Sequence, residues 1–266
     1  MTQTFIVTGA SRGIGEQVAY QLAQERAQLF LGARNEVALK KVAAQCMSLG
    51  AQRVYTYVLD LSDANSIDDF IEEVKAQTAK IDVLINNAGI GHLQSFMQTD
   101  PKRSEKMMKV NTLGTMYLTQ QVLLEMLDNH RGHVITVASL AGKVPSPNMA
   151  VYGVSKAALI SFQDSLRIEL KPHHIKLTTI NPGPVKTDFF KSSDPAGNYL
   201  KNVDFFTLTA TEVAEKVVQA VHTQPREINT PWTLAFGAKL AQLFPRVTDW
   251  AYSYLIKFRT INKKGE

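Results

Sequence analysis

Cysteine is all but missing from this chain. Cys46 stands alone among 266 residues, which excludes an intramolecular disulfide and leaves nothing that looks like a cysteine-based metal site. That suits a reducing compartment. Long apolar runs are missing too: no stretch approaches the roughly 18 uncharged apolar residues that a spanning helix needs. The opening MTQTFIVTGASRGIG has neither the basic start nor the small-residue cleavage site of a secretory signal, so a cytoplasmic location is expected. Low-complexity tracts, solenoid-period repeats and linkers are also absent, and one domain over 1–266 is expected, with 231–266 as an extension. His92, His130, His133, His173 and His174 read as loop or cap residues, and no spacing among them suggests a metal.

An excess of positive charge exists but is local. The formal net charge is +5, yet Lys257, Arg259, Lys263 and Lys264 against Glu266 place three of those charges in the last ten residues. A basic tail describes this better than a nucleic-acid-binding face.

What the chain does contain is alternation. Short apolar runs rich in β-formers (TFIVT, QLFLGA, RVYTYVLD, DVLINNAG, HVITVAS, KLTTINPG) alternate with amphipathic, helix-length stretches, two of them around 103–128 and 151–170. A final short strand fits near Arg226 to Asn229. Strands that are apolar throughout and separated by helices read as βαβ units. The expected fold is therefore α/β: a single Rossmann-type, doubly wound sheet of about seven parallel strands with helices on both faces. Ligands of such a sheet sit beyond the carboxyl ends of its strands.

Gly9, Gly13 and Gly15 follow the first strand and open the first helix. Without Cβ atoms they permit a tight turn whose backbone N–H groups approach a pyrophosphate at the helix N-terminus. A P-loop is excluded because no Gly-Lys-Ser/Thr closes the motif. A second pattern lies in AVYGVSKAALISF: on a helix Tyr152 and Lys156 share one face a turn apart. A nearby ammonium lowers a phenol's pKa, so this tyrosine is a candidate general acid/base at a carbonyl or hydroxyl oxygen. Among eight tyrosines only Tyr152 has a lysine four residues on, and it lies 13 residues after Ser139.

TGASRGIG resembles the T-G-x-x-x-G-x-G turn of the short-chain dehydrogenase/reductase family. The family's other stations follow in order: NNAG at 86–89, Asn111, Ser139, Tyr152 with Lys156, and NPG at 181–183. The resemblance spans residues 4 to about 230. It implies a nicotinamide cofactor held by Gly9, Ser11, Arg12, Gly13, Ile14 and Gly15, by Arg34 and Asn35, and by Asp60 and Leu61 near the adenine. Asn87, Ala88 and Gly89 would lie beside the adenine ribose, and Pro182, Gly183, Val185 and Thr187 at the nicotinamide carboxamide. It also implies that Lys156 binds the nicotinamide ribose, that Ser139 orients the substrate oxygen, and that Asn111 holds a water completing a proton relay.

The second strand ends LFLGARN, with Ala33 where an acid marking NAD would sit and Arg34 next. Guanidinium suits a 2′-phosphate, and Arg12 could reach the same group, so NADP(H) is expected over NAD(H). Leu93, Phe96, the KVPSPNM loop and the aromatics Phe189, Phe190, Tyr199, Phe205 and Phe206 are expected to border an apolar ketone, aldehyde or alcohol. The rival readings are a non-catalytic NADP-binding sensor or scaffold and a sugar-nucleotide epimerase. By resemblance, helices 103–128 and 151–170 would pack across a two-fold axis, giving a homodimer or homotetramer. The aromatic segment 231–258 reads as a substrate-side cover or subunit contact, as extra core, or as a membrane-surface helix pair.

Overall fold

The computed structural model describes residues 3–193 and 207–250. Strands β1 (Thr4–Thr8), β2 (Gln28–Ala33), β3 (Arg53–Val58), β4 (Val83–Asn86), β5 (Gly132–Val137), β6 (Ile175–Pro182) and β9 (Glu227–Thr230) form one sheet, ordered β3-β2-β1-β4-β5-β6-β9. Every pairing in it is parallel. The seven-stranded doubly wound sheet expected from the alternation is therefore present. Two further strands, β7 (Val185–Lys186) and β8 (Leu208–Thr209), pair only with each other. At two residues each they are too short to leave a periodic signal.

The sheet separates two apolar layers because successive strand residues point to opposite faces. Phe5, Val7, Leu29, Leu31, Val83, Ile85, Ile135 and Val137 join one core with helices α1 (Gly13–Gln24), α2 (Glu36–Ser48) and α8 (Ala210–Thr223). Their neighbours Ile6, Phe30, Leu84 and Val134 join the other with α3 (Ala64–Gln77) and α5 (Thr115–Asp128). Val7, Phe30, Leu84 and Ile135 are 0% exposed, so burial on both faces accounts for the near-continuous apolar runs. Helix starts are marked in the sequence: Asn35 caps α2, and Thr209 with Glu212 forms a capping box on α8.

One expectation is refined and two need correction. The helix expected around 103–128 is α4 (Pro101–Met108) and α5 joined through a π-helical turn, Lys109–Gly114. Gly114 permits the close approach there, since a Cβ would lie 1.8 Å from the Leu61 carbonyl oxygen. His133 is not a loop residue: it lies in β5, 3% exposed, with Nε2 2.9 Å from the Thr178 hydroxyl of β6. Burial, with the charge of Lys176, pushes its pKa down to about 4, so the ring is neutral near pH 7. Phe96 is 65% exposed in the turn Phe96–Gln98 and does not border the cleft described below.

Candidate active site

The chain runs from β1 outward through β2 to β3, then returns across the sheet to β4, so β1 and β4 are neighbours at the switch in strand order. A crevice opens there beyond the carboxyl ends. Gly9 follows β1 with φ +66°, and a Cβ on it would stand 2.8 Å from the Ala88 Cα. Only glycine fits a left-handed turn pressed so closely on another backbone. A Cβ on Gly15 would lie 2.5 Å from the Gly9 carbonyl oxygen, which packs the start of α1 against the same turn. Thr8 clamps the far side: its hydroxyl accepts the Asn87 and Ala88 N–H groups, each at 3.0 Å. Asn87 Nδ2 in turn donates to the Thr8 carbonyl at 3.0 Å.

Arg12 is the extended residue before α1, with no side-chain capping bond. Arg34 follows β2, and its charge acts on Asp60 beyond β3. Burial alone would raise the Asp60 carboxyl, but hydrogen bonds from Ser62 and the charges of Arg34 and Lys106 hold it below the usual range. Asp60 Oδ1 accepts from both the Ser62 N–H and hydroxyl, at 2.9 and 2.7 Å. Asn35 Oδ1 accepts the Ala38 N–H as the cap of α2, so that oxygen already has a structural partner.

The other half of the crevice is built on α6 (Ala150–Glu169) and the ends of β5 and β6. Helical spacing brings Tyr152 and Lys156 together, with Lys156 Nζ 5.9 Å from the phenol ring centroid. Lys156 is 4% exposed, donates to the Val137 carbonyl at 3.0 Å, and has its pKa lowered by burial to about 8. It is therefore still mostly protonated at pH 7. Ser139, two residues past β5, has its hydroxyl 3.4 Å from the Pro182 carbonyl and accepts the Ala141 N–H at 3.1 Å. Phe189, in α7 (Asp188–Ser193), places its ring 5.6 Å from that of Tyr152. A Cβ on Gly91 would meet that ring at 2.2 Å, so the residue opposite Phe189 has to be glycine in this arrangement.

Asn111 sits in the π turn, fully buried. Its carboxamide holds Ile90 at both backbone groups, accepting the N–H and donating to the carbonyl, each at 2.8 Å, and donates to Ser155 Oγ at 3.0 Å. Asn111 Oδ1 and Lys156 Nζ converge on Gly89, where a Cβ would lie 3.3 and 3.4 Å from them. The extra residue of the π turn re-aims the side chain at this point.

All of this borders one cleft of about 1770 Å³. Every catalytic and cofactor-binding residue singled out from the sequence lines it except Gly15 and Asn111, which stand behind its wall; of the expected substrate-side residues, Leu93 and Phe189 line it and Phe96 does not. Tyr199, Phe205 and Phe206 lie outside the described residues, and so does the side chain of Phe190. The KVPSPNM loop expected at the substrate contributes Val144, Ser146, Pro147, Asn148 and Met149 to the lining, whereas sequence reasoning did not find Ile90, nor the individual wall residues Leu234, Ala238 and Ala241 of α9 (Trp232–Leu243). For α9 a signal existed: these three recur at helical spacing on a face distinct from the larger aromatics. For Ile90 only its place after NNAG points to the site.

Comparison with known proteins places the chain among relatives. The family model described as short chain dehydrogenase matches residues 3–197. The chain is 33% identical over 243 residues to estradiol 17-beta-dehydrogenase 11 of Homo sapiens, covering 90% of this chain and 78% of that protein. Among solved structures, a closed form of serine dehydrogenase complexed with NADP+ superposes with TM-score 0.79 at 28% identity, covering 87% and 96% of the two chains. A short-chain dehydrogenase/reductase from Burkholderia phymatum in complex with NAD shares the fold with TM-score 0.85 at 22% identity, covering 93% and 95%.

Proposed function

The chain belongs to the short-chain dehydrogenase family, an oxidoreductase family, and from that premise we propose an NADP(H)-dependent enzyme acting on an apolar carbonyl or secondary alcohol. The residues at the strand ends fit a dinucleotide. Gly9 and Gly13 adopt positive φ, and the cradle they form with Gly15 leaves no space for a Cβ at Gly9 or Gly15. In this reading Gly9, Ser11, Gly13 and Ile14 hold the pyrophosphate, Asp60, Leu61, Asn87 and Ala88 the adenosine, and Pro182, Gly183, Val185 and Thr187 the carboxamide. The NADP(H) preference rests on Arg12 and Arg34, which line one cleft with Ala33 in place of an acid.

The cofactor, when bound, supplies or accepts the hydride. The chain positions the substrate and moves its proton. Ser139 Oγ, at the cleft wall, donates to the substrate oxygen and sets its place. Tyr152 Oη gives a proton to that oxygen in reduction and takes it in oxidation. Lys156 is held in place by Val137 and stays charged at neutral pH, which stabilises the phenolate. The spot at Gly89 flanked by Asn111 Oδ1 and Lys156 Nζ suits the water that would return the proton from solvent, since one Asn111 Oδ1 lone pair is left after Ile90. A homodimer through the outward faces of α5 and α6 agrees with the exposure of Leu124, Val154 and Ile168. Light scattering should give two or four times the 29.5 kDa chain mass, for a homodimer or homotetramer, and a monomer at micromolar concentration refutes both.

The observation that carries the functional reading is the meeting of Tyr152, Lys156 and Ser139 at one end of a glycine-built cleft. A panel of ketones, aldehydes and alcohols, assayed with NADPH and NADH and with their oxidised forms, tests it. We expect turnover of apolar members with NADPH favoured at least about tenfold in kcat/KM, the worth of one charge-assisted contact. Equal use of NADH would sink the cofactor assignment. No turnover at all would favour the non-catalytic sensor.

A further inference from the structure

Helix α9 is fastened at both ends to the segments that frame the reaction centre. At its start, Leu234 Cδ1 stands 3.1 Å from where a Cβ on Gly183 would lie, in the segment assigned to the carboxamide. Just upstream, the Thr230 carbonyl at the end of β9 accepts the Gly183 N–H at 2.7 Å. Near its other end, Gln242 Nε2 donates to the Lys143 carbonyl at 2.9 Å, in the turn that follows Ser139. The Lys143 ammonium in turn pairs with Glu227 of β9, and both side chains are mostly buried. The helix therefore runs from the carboxamide segment to the turn after Ser139, and these contacts hold it there.

The face α9 turns to the cleft is apolar and small. Leu234, Ala238 and Ala241 line the cleft at i, i+4 and i+7, one helical face that extends about 10 Å at about 1.5 Å per residue. Two of these three side chains are methyl groups, which leave a groove along the helix beyond its first turn. The helix ends at Leu243, where Phe244 precedes Pro245, and the Thr248 hydroxyl donates to the Phe244 carbonyl at 3.2 Å to close a separate turn. Phe244 and Val247 of that turn line the cleft while staying 57% and 61% exposed, which marks them as its rim. The volume of about 1770 Å³ exceeds the roughly 300–1,000 Å³ that serves one drug-sized ligand, so a bound cofactor leaves room for a second extended molecule.

Building on the carbonyl and alcohol reading above, we propose that the substrate is an elongated apolar molecule whose body lies along α9, and that Ala238 and Ala241 set the length accepted. A short ketone held at Tyr152 reaches only the turn at Leu234. A longer chain buries further methylenes against Ala238 and Ala241, and the gain stops where it passes Phe244 and Val247 into water.

Isothermal titration of the NADPH-loaded chain with methyl ketones from hexanone to decanone tests this, with kcat/KM measured on the same series. Affinity should climb roughly three- to fourfold per added carbon, the worth of one buried methylene. Ala241→Leu, at a partly exposed position, should weaken decanone binding at least about tenfold, leave hexanone within about twofold, and keep the NADPH Kd of wild type. Ala238→Leu should do the same, and Ala241→Leu decides the matter if crowding at buried Ala238 prevents folding. Length-dependent binding without turnover would overturn the catalytic reading and support this one. Equal affinity for hexanone and decanone overturns the proposal, as does an Ala241→Leu variant that binds both as wild type does. An equal loss of both ketones in that variant overturns it too, since bulk there would then block the site as a whole and not its length.

Discussion

Beside β1 and β4 the cleft wall is largely backbone: Gly9, Gly13, Ala88 and Gly89, with Thr8 and Asn87 stitching the two strand ends together. Beside β6 it is side chain: Phe189, Met149, Leu234, Ala238 and Ala241. The first wall is fixed by sterics, because a left-handed turn in which an added Cβ would stand 2.8 Å from another Cα has one residue solution. The diphosphate proposed to bind there would meet backbone N–H groups, which no substitution of side chains supplies. The second wall is set by volume, and apolar residues of similar size exchange in it with modest effect. One half of the site is therefore suited to a constant cofactor and the other to a variable substrate. Tyr152 and Lys156 stand at the seam.

Changes at the seam should have the largest effect, since they stop the reaction and leave both walls standing. Tyr152→Phe removes only the hydroxyl, so turnover should fall by roughly 10²–10⁴-fold while NADPH titration by fluorescence stays near wild type. Retained turnover in that variant would overturn the acid/base assignment. A change in the backbone wall comes next. Gly9→Ala imposes left-handed strain of about 1–3 kcal/mol together with the contact on Ala88, so the NADPH Kd should rise at least about tenfold. An unchanged Kd would show that the turn does not hold the cofactor. The smallest effect belongs to the side-chain wall. Phe189→Ala opens space beside Tyr152 and should shift the kcat/KM ratio between bulky and small ketones several-fold, with the KM for NADPH unchanged. A change in NADPH KM equal to that for the ketone would erase the distinction between the walls.

Much of the backbone wall was readable in the chain. Glycines placed after a strand, and an acid missing where LFLGARN ends, are local signals that state what the backbone must do. The Tyr152–Lys156 pair was equally legible, because helical spacing alone makes neighbours of them. The π turn at Asn111 was not, since nothing in KVNTLG distinguishes five-residue closure from an ordinary helical turn. The burial of His133 was hidden for a similar reason: its partner Thr178 is 45 residues away on the next strand. Phe96 and Phe189 look alike as sequence, yet only one borders the cleft.

By itself the sequence determined the parallel α/β sheet, the glycine turn and the pairing of Tyr152 with Lys156, because each depends on contacts within one strand, one turn or one helix. Only the tertiary structure decided what crosses between elements. It brought Asn111 and Lys156 to Gly89, set Phe189 against Gly91, and turned one face of residues 232–250 into the cleft and the other outward. Those outcomes depend on which surfaces of distant elements compete for burial, and no local pattern records that competition.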